Sequence, residues 1–151
     1  MSGFFAPQSA EAATGTWSGT NGATWDINAT NWIGVTGTPW DSSNGLTNTA
    51  LFSTAANATV SGTVYANTIT IDGLTTITGG TITLSGSNPT INGTNAGVNV
   101  IYSVLAGTNG LTKSGTGLVY LDPGNGFAAN TFSGDITING GNLASVRQYC
   151  P

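Results

Sequence analysis

The chain has 151 residues, room for one domain with its own core but not comfortably for two. Charged residues are 5% of it, against roughly a quarter in ordinary globular proteins, and hydrophobic residues are 38%, which excludes the highly charged, apolar-poor composition of disordered chains. With a net charge of −4 and only Lys113 and Arg147 as cations, it carries no electrostatic footprint for nucleic acid or for an anionic lipid surface.

At the start, Met1-Ser2-Gly3-Phe4-Phe5-Ala6-Pro7 precedes Ala10-Glu11-Ala12, which has the small-x-small form of a signal peptidase site. The apolar stretch is short and lacks a basic flank, so residues 1–13 are expected to be a leader or signal remnant outside the fold. Residues 14–54 contain all four tryptophans, Trp17, Trp25, Trp32 and Trp40, spaced by eight, seven and eight residues. Short strands joined by Thr-Asn-Gly, Asn-Ala-Thr-Asn and Thr-Gly-Thr-Pro turns explain that spacing. An indole has a large apolar body and one N–H, so these four are expected to cap the N-terminal end, one side packed and the other wet.

Residues 55–146 read as short rungs: Ala58–Val64, Thr68–Ile71, Thr75–Thr78, Thr81–Leu84, Thr90–Asn92, Val98–Leu105, Leu111–Lys113, Leu118–Leu121, Ile136–Ile138 and Leu143–Val146. Residues 147–151 form a tail. No window has helical i, i+3, i+4 spacing over ten residues, and no apolar run approaches the roughly 18 residues of a membrane-spanning helix. The unit Ile69-Thr70-Ile71-Asp72-Gly73 recurs as Ile82-Thr83-Leu84-Ser85-Gly86 and Ile136-Thr137-Ile138-Asn139-Gly140, and more loosely over Leu118–Gly124. Each is a strand with period-2 alternation closed by a turn residue and glycine. Such a strand buries its apolar face only by stacking on neighbours. Asp72-Gly73 and Asn109-Gly110 would also suit hairpin turns, so a β-sandwich is the competing fold. The very short strands and X-Gly corners favour a parallel β-helix, or β-solenoid. Three strands per coil of roughly 20 to 25 residues would give about four rungs after the cap. The rod would then be about 20 Å tall at roughly 4.8 Å per rung, with an unsatisfied β-edge at each end.

Asn109-Gly110-Leu111-Thr112-Lys113-Ser114-Gly115-Thr116-Gly117-Leu118, followed by Asn130-Thr131-Phe132-Ser133-Gly134-Asp135-Ile136-Thr137-Ile138-Asn139-Gly140-Gly141-Asn142-Leu143, closely resembles the passenger-associated transport repeat of autotransporters, also called the autotransporter-associated β-strand repeat. Thr16-Trp17-Ser18-Gly19 to Asn31-Trp32, with Leu51-Phe52, is similar to the Trp-rich opening that precedes such repeats. The likeness covers most of residues 14–145. Departures are Leu118-Val119-Tyr120-Leu121 in place of the usual threonine-leucine strand, the inserted Asp122-Pro123-Gly124, and Val146–Pro151, which match nothing. The resemblance implies a right-handed parallel β-helix at the bacterial surface, where passengers serve as adhesins, spacers or carriers, and it implies no catalysis by the repeat. Autotransporters also carry a membrane barrel, for which this length has no room, so a piece of a longer passenger or a small standalone relative is expected.

The catalytic inventory agrees. There is no histidine, and Cys150 therefore has no imidazole to form a nucleophilic pair with. An odd thiol near the end could bridge two chains. Asp41, Asp72 and Asp122 sit among turn residues, where they cap backbone N–H groups; Asp26 and Asp135 are the ones left for a carboxylate pair. No calcium-binding loop is present, and Gly79-Gly80 and Gly140-Gly141 open no helix that would cradle phosphate. No catalytic, cofactor or metal residue is therefore assigned. Thr68/Thr70, Thr76/Thr78, Thr81/Thr83 and Thr112 are expected to align hydroxyls on one face while Ile69, Ile77 and Ile82 point inward, the pattern of an ice-binding solenoid or simply of a low-charge β-surface. The resulting expectation is a non-enzymatic, secreted or cell-surface structural protein. Its partners would be further copies of itself, end to end, or a surface glycan, host or abiotic surface. A carbohydrate-binding module with exposed aromatics is the alternative.

Overall fold

The computed structural model describes residues 11–123 and 129–145, so Cys150, Arg147, the 147–151 tail and most of the expected leader lie outside the described residues. Strands β1 (Thr14–Trp17), β2 (Ala23–Trp25) and β3 (Trp32–Ile33) open the chain, and β4 (Thr49–Phe52), β5 (Ala56–Val60) and β6 (Thr63–Ala66) form the next coil. They are followed by β7 (Thr68–Ile71), β8 (Thr75–Thr78), β9 (Thr81–Leu84), then β10 (Thr90–Gly93), β11 (Val98–Ile101), β12 (Val104–Ala106). Finally come β13 (Leu111–Ser114), β14 (Leu118–Leu121), β15 (Ile136–Ile138) and β16 (Asn142–Ser145).

Every third strand stacks on its equivalent. The first wall runs β15-β13-β10-β7-β4-β1-β3, the second β16-β14-β11-β8-β5-β2 and the third β12-β9-β6. All pairings are parallel except that of β1 with β3. This is a parallel β-solenoid, and the sandwich is excluded because no pair of long antiparallel arms exists among the described residues. Successive coils differ by 19 residues at Thr59 and Thr78 and by 22 at Asp72 and Thr94, while the first, holding the tryptophan segment, needs 35 from Ala13 to Asn48.

Two expected strands prove to be two strands each, meeting at a corner. Ala58–Val64 breaks at Ser61-Gly62, where Gly62 takes φ +71°, and Val98–Leu105 breaks at Tyr102-Ser103. Apolar alternation continues through these corners because both flanking strands face the same interior, so the sequence pattern registers no break there. The near-identical units also land on different walls: Ile69–Ile71 on the first, Leu118–Leu121 on the second, Ile82–Leu84 on the third. The repeating unit is thus one strand with its corner rather than one coil.

The interior is a set of side-chain columns along the axis. Gly15, Ala50, Ile69, Ile91, Lys113 and Ile138 share one column of the first wall. Ala23, Ala58, Ile77, Ile101 and Leu121 run down the second wall, and Val64, Ile82 and Leu105 down the third. Each buried isoleucine or leucine contributes roughly 1.5–3 kcal/mol, which is how strands of three or four residues remain folded. Corner asparagines bond to the backbone of adjacent coils instead of stacking as a ladder. Asn99, fully buried, accepts from Thr75 N at 3.1 Å and donates to Leu118 O at 3.3 Å, and Asn67 donates to Ser85 O at 2.8 Å.

Candidate functional surfaces

The four tryptophans lie inside. Trp25 and Trp40 are 0% exposed, Trp17 6% and Trp32 5%, so the expected half-wet cap is corrected. With Phe52 they fill the first coil in mostly edge-to-face pairs: Trp25 lies 5.1 Å from Trp32 and 5.5 Å from Trp40, and Trp17 lies 5.0 Å from Trp32. Aromatic quadrupoles favour this geometry, and five rings occupy the volume that aliphatic side chains fill in later coils. Gly15 makes room, since a Cβ there would come within 2.8 Å of the Trp40 ring. None of the four indole N–H groups finds a hydrogen-bond partner. The tryptophans therefore offer no stacking platform to a ligand.

Outside this cluster the N-terminal end is covered on two of its three walls. Strand β3 covers the β1 edge, pairing Trp17 with Trp32 and Thr16 with Ile33. Ala13, expected to lie outside the fold, donates to Asn48 Oδ1 at 2.9 Å and accepts from Thr49 N. The loop before Asn48 covers the third wall, where Tyr65 N donates to Trp40 O at 2.9 Å. Asp41 organises that loop: its Oδ2 accepts from Thr38 Oγ1 at 2.8 Å and its Oδ1 from Ser43 N and Asn44 N. These bonds, led by that from Asn44, hold its carboxyl below the usual aspartate value. The C-terminal end is different. Among the described residues β15 and β16 have no strand on their outer side, and Ile136 and Ile138 are each more than half exposed. At the N-terminal end β2 likewise has no strand on its outer side among the described residues, so β3 and the loop before Asn48 cover two of the three walls there.

Asp26 follows β2 in the first coil and Asp135 precedes β15 in the last described coil, so the two carboxylates left for a pair lie at opposite ends of the ladder. Asp26 Oδ1 accepts from Asn28 N at 2.8 Å as an Asx turn, and Asp72 Oδ1 accepts from Thr94 Oγ1 at 2.6 Å. No group of three histidine, cysteine, aspartate or glutamate side chains able to hold a metal occurs among the described residues. No helix of the described residues is long and apolar enough to cross a membrane.

The threonine pairs expected on one face are split among three walls, because the chain turns a corner after every strand: Thr68/Thr70 lie on the first, Thr76/Thr78 on the second and Thr81/Thr83 on the third. A different array replaces them. Thr14, Thr49, Thr68, Thr90, Thr112 and Thr137 occupy one register position down six coils of the first wall. Thr112 Oγ1 donates to Asn88 Oδ1, Thr68 Oγ1 to Asn67 Oδ1 and Thr90 Oγ1 to Asn88 O, so their protons are committed to corner acceptors. Ile69, Ile77 and Ile82 do point inward and are fully buried.

The second wall is the apolar one. Leu74, at the corner before β8, and Val98 are more than half exposed; Leu118, Val100 and Tyr120 lie partly exposed on the wall, with Tyr102 at the corner after β11. Val98 pairs in register with Leu118 and Val100 with Tyr120. The carbohydrate-binding alternative calls for an exposed tryptophan or tyrosine without assigning a residue, and Tyr102 and Tyr120 are partly exposed.

Lys113 was read only as a cation, yet it is completely buried. It stands in β13 between Ile91 and Ile138, and burial pushes its pKa below the usual lysine value.

Over 112 residues, 74% of its length, the chain is 38% identical to the adhesin BmaC autotransporter of Brucella suis biovar 1 (strain 1330). It spans 3% of that adhesin. No family model and no solved structure matches the chain. The likeness to autotransporters that the repeat motifs carry thus agrees with similarity to a protein named as an autotransporter adhesin, on a fold of the class those motifs imply.

Proposed function

We propose, for a chain whose sequence and fold fit the autotransporter-associated repeat family, a non-enzymatic role as a structural and adhesive section of a solenoid at the bacterial surface. The observation that carries this reading is the unbroken parallel ladder from β1 to β15 on the first wall, around a filled interior. Such a rod resists extension and digestion because each coil's backbone bonds are held by the coils on either side. Adhesion would be tested by coating beads with the purified chain and counting their attachment to cultured cells, extracellular matrix and bare polymer. Attachment no greater than that of albumin-coated beads on all three would refute the adhesive part.

Self-association is the finer part. The outer edges of β15 and β16, which no strand covers among the described residues, support end-to-end pairing of copies. Sedimentation velocity over a range of concentrations should show a dimer that Ile138→Lys abolishes. A monomer at millimolar concentration would end this part of the reading.

A glycan-binding reading is favoured by one observation, the partly exposed Tyr120 on the second wall, in register with Val100, and Tyr102 at the corner after β11. Flat aromatic rings with a hydroxyl tip suit stacking against sugar faces. A glycan array in which binding disappears in Tyr102→Ala and Tyr120→Ala would support it. No binding by the wild type would remove it.

A further inference from the structure

The interior column of the first wall holds Ala50, Ile69, Ile91 and Ile138, and Lys113 interrupts it. An isoleucine there would add apolar burial, whereas an ammonium is costly to desolvate. What lysine supplies instead is three donors, and all three are used: Nζ lies 2.6 Å from Ser114 O, 3.2 Å from Gly115 O and 3.2 Å from Gly140 O. Gly140 is 27 residues further on, at the equivalent corner of the next coil. Outside the strand ladders, and among the described residues, neither Gly115 O nor Gly140 O accepts a backbone N–H. Glycine lets the corners approach this closely: a Cβ on Gly140 would meet Gly115 O at 3.0 Å, and one on Gly141 would meet Gly117 O at 2.4 Å.

Phe132 and Leu143 of that next coil pack partly against the core, but within β15 the docking is weakly specified by burial. Ile136, Thr137 and Ile138 of β15 are all exposed, so a slip of two residues along β13 would exchange one isoleucine for the other at little apolar cost. We propose that Lys113 is the residue by which one coil selects the register of the next, its ammonium gripping the Ser114-Gly115 corner and the Gly140 corner together. The lysine near the start of the repeat signature and the glycine pair near its end are then two halves of one contact.

Lys113 is the only lysine in the chain, so a protein labelled with nitrogen-15 at lysine Nζ has one side-chain signal. The proposal expects that signal as a slowly exchanging ammonium with couplings across hydrogen bonds to carbonyl carbons of Gly115 and Gly140. A fast-exchanging, solvent-like amine would overturn it. Lys113→Met keeps an unbranched apolar stem in the column and removes the donors. In hydrogen exchange, amides of residues 136–145 should lose protection at least about tenfold, the equivalent of one lost hydrogen bond, while β7–β9 are unchanged. Ile91→Ala, a cavity one coil earlier in the same column, is the control and should lower stability without uncoupling residues 136–145 selectively. Equal protection of 136–145 in Lys113→Met and wild type refutes the proposal.

Discussion

Replacing Trp25 with alanine would remove the side chain at the middle of the N-terminal ring cluster. Trp25 is fully buried, and its ring lies 5.1 Å from Trp32, 5.5 Å from Trp40 and 5.9 Å from Phe52, so truncation leaves a cavity lined on three sides by rings that cannot collapse into it. Trp→Ala at such a site costs about 3–5 kcal/mol, the lost edge-to-face pairs included. With a urea m-value of about 2–3 kcal/mol/M for a domain of this size, the midpoint should fall by roughly 1–2.5 M. The assay is urea unfolding followed by far-ultraviolet circular dichroism, with fluorescence of the remaining tryptophans as a second probe. Those three should also shift to longer emission wavelength as water reaches the cluster. A loss below about 1 kcal/mol would refute the reasoning, because that is the cost expected of a ring lying half in water on a closing surface.

Three further outcomes follow from the geometry. Gly73→Ala should destabilise by about 1–3 kcal/mol through overpacking, since its Cβ would lie 2.1 Å from the Thr54 carbonyl carbon and 2.3 Å from Ala55 N; the midpoint of thermal unfolding measures it, and an unchanged midpoint counts against the corner as described. Asp41 has a folded pKa below its unfolded value, so its contribution is fully present above the ordinary aspartate pKa and fades as pH falls through the lower folded one. Wild type should therefore lose stability in that acid window more steeply than Asp41→Asn, and parallel profiles would show that the loop does not depend on the carboxylate. Thermal hysteresis should be absent despite six threonines in register, because the hydroxyl protons of Thr68, Thr90 and Thr112 are engaged at the corners; a measurable freezing-point gap would contradict this.

The amino-acid sequence by itself determined that the chain is all-β, that its strands are short and that they stack. Alternation at Ile69-Thr70-Ile71, repeated with a turn residue and glycine after it, admits few other solutions, because a lone short strand cannot bury its apolar side. The inward places of Ile69, Ile77 and Ile82 were legible for the same reason, as was the likeness carried by the Leu111–Leu143 motifs. Tertiary structure alone decided which wall each strand joins, because identical units serve all three and alternation runs unbroken through Ser61-Gly62 and Tyr102-Ser103. It also decided that the tryptophans fill the first coil, since an indole suits a wet cap and a dry core equally until its neighbours are known. The same holds for Lys113: a charge in sequence reads as solvated, and only the convergence of two corners 27 residues apart supplies three carbonyl oxygens to take it inside.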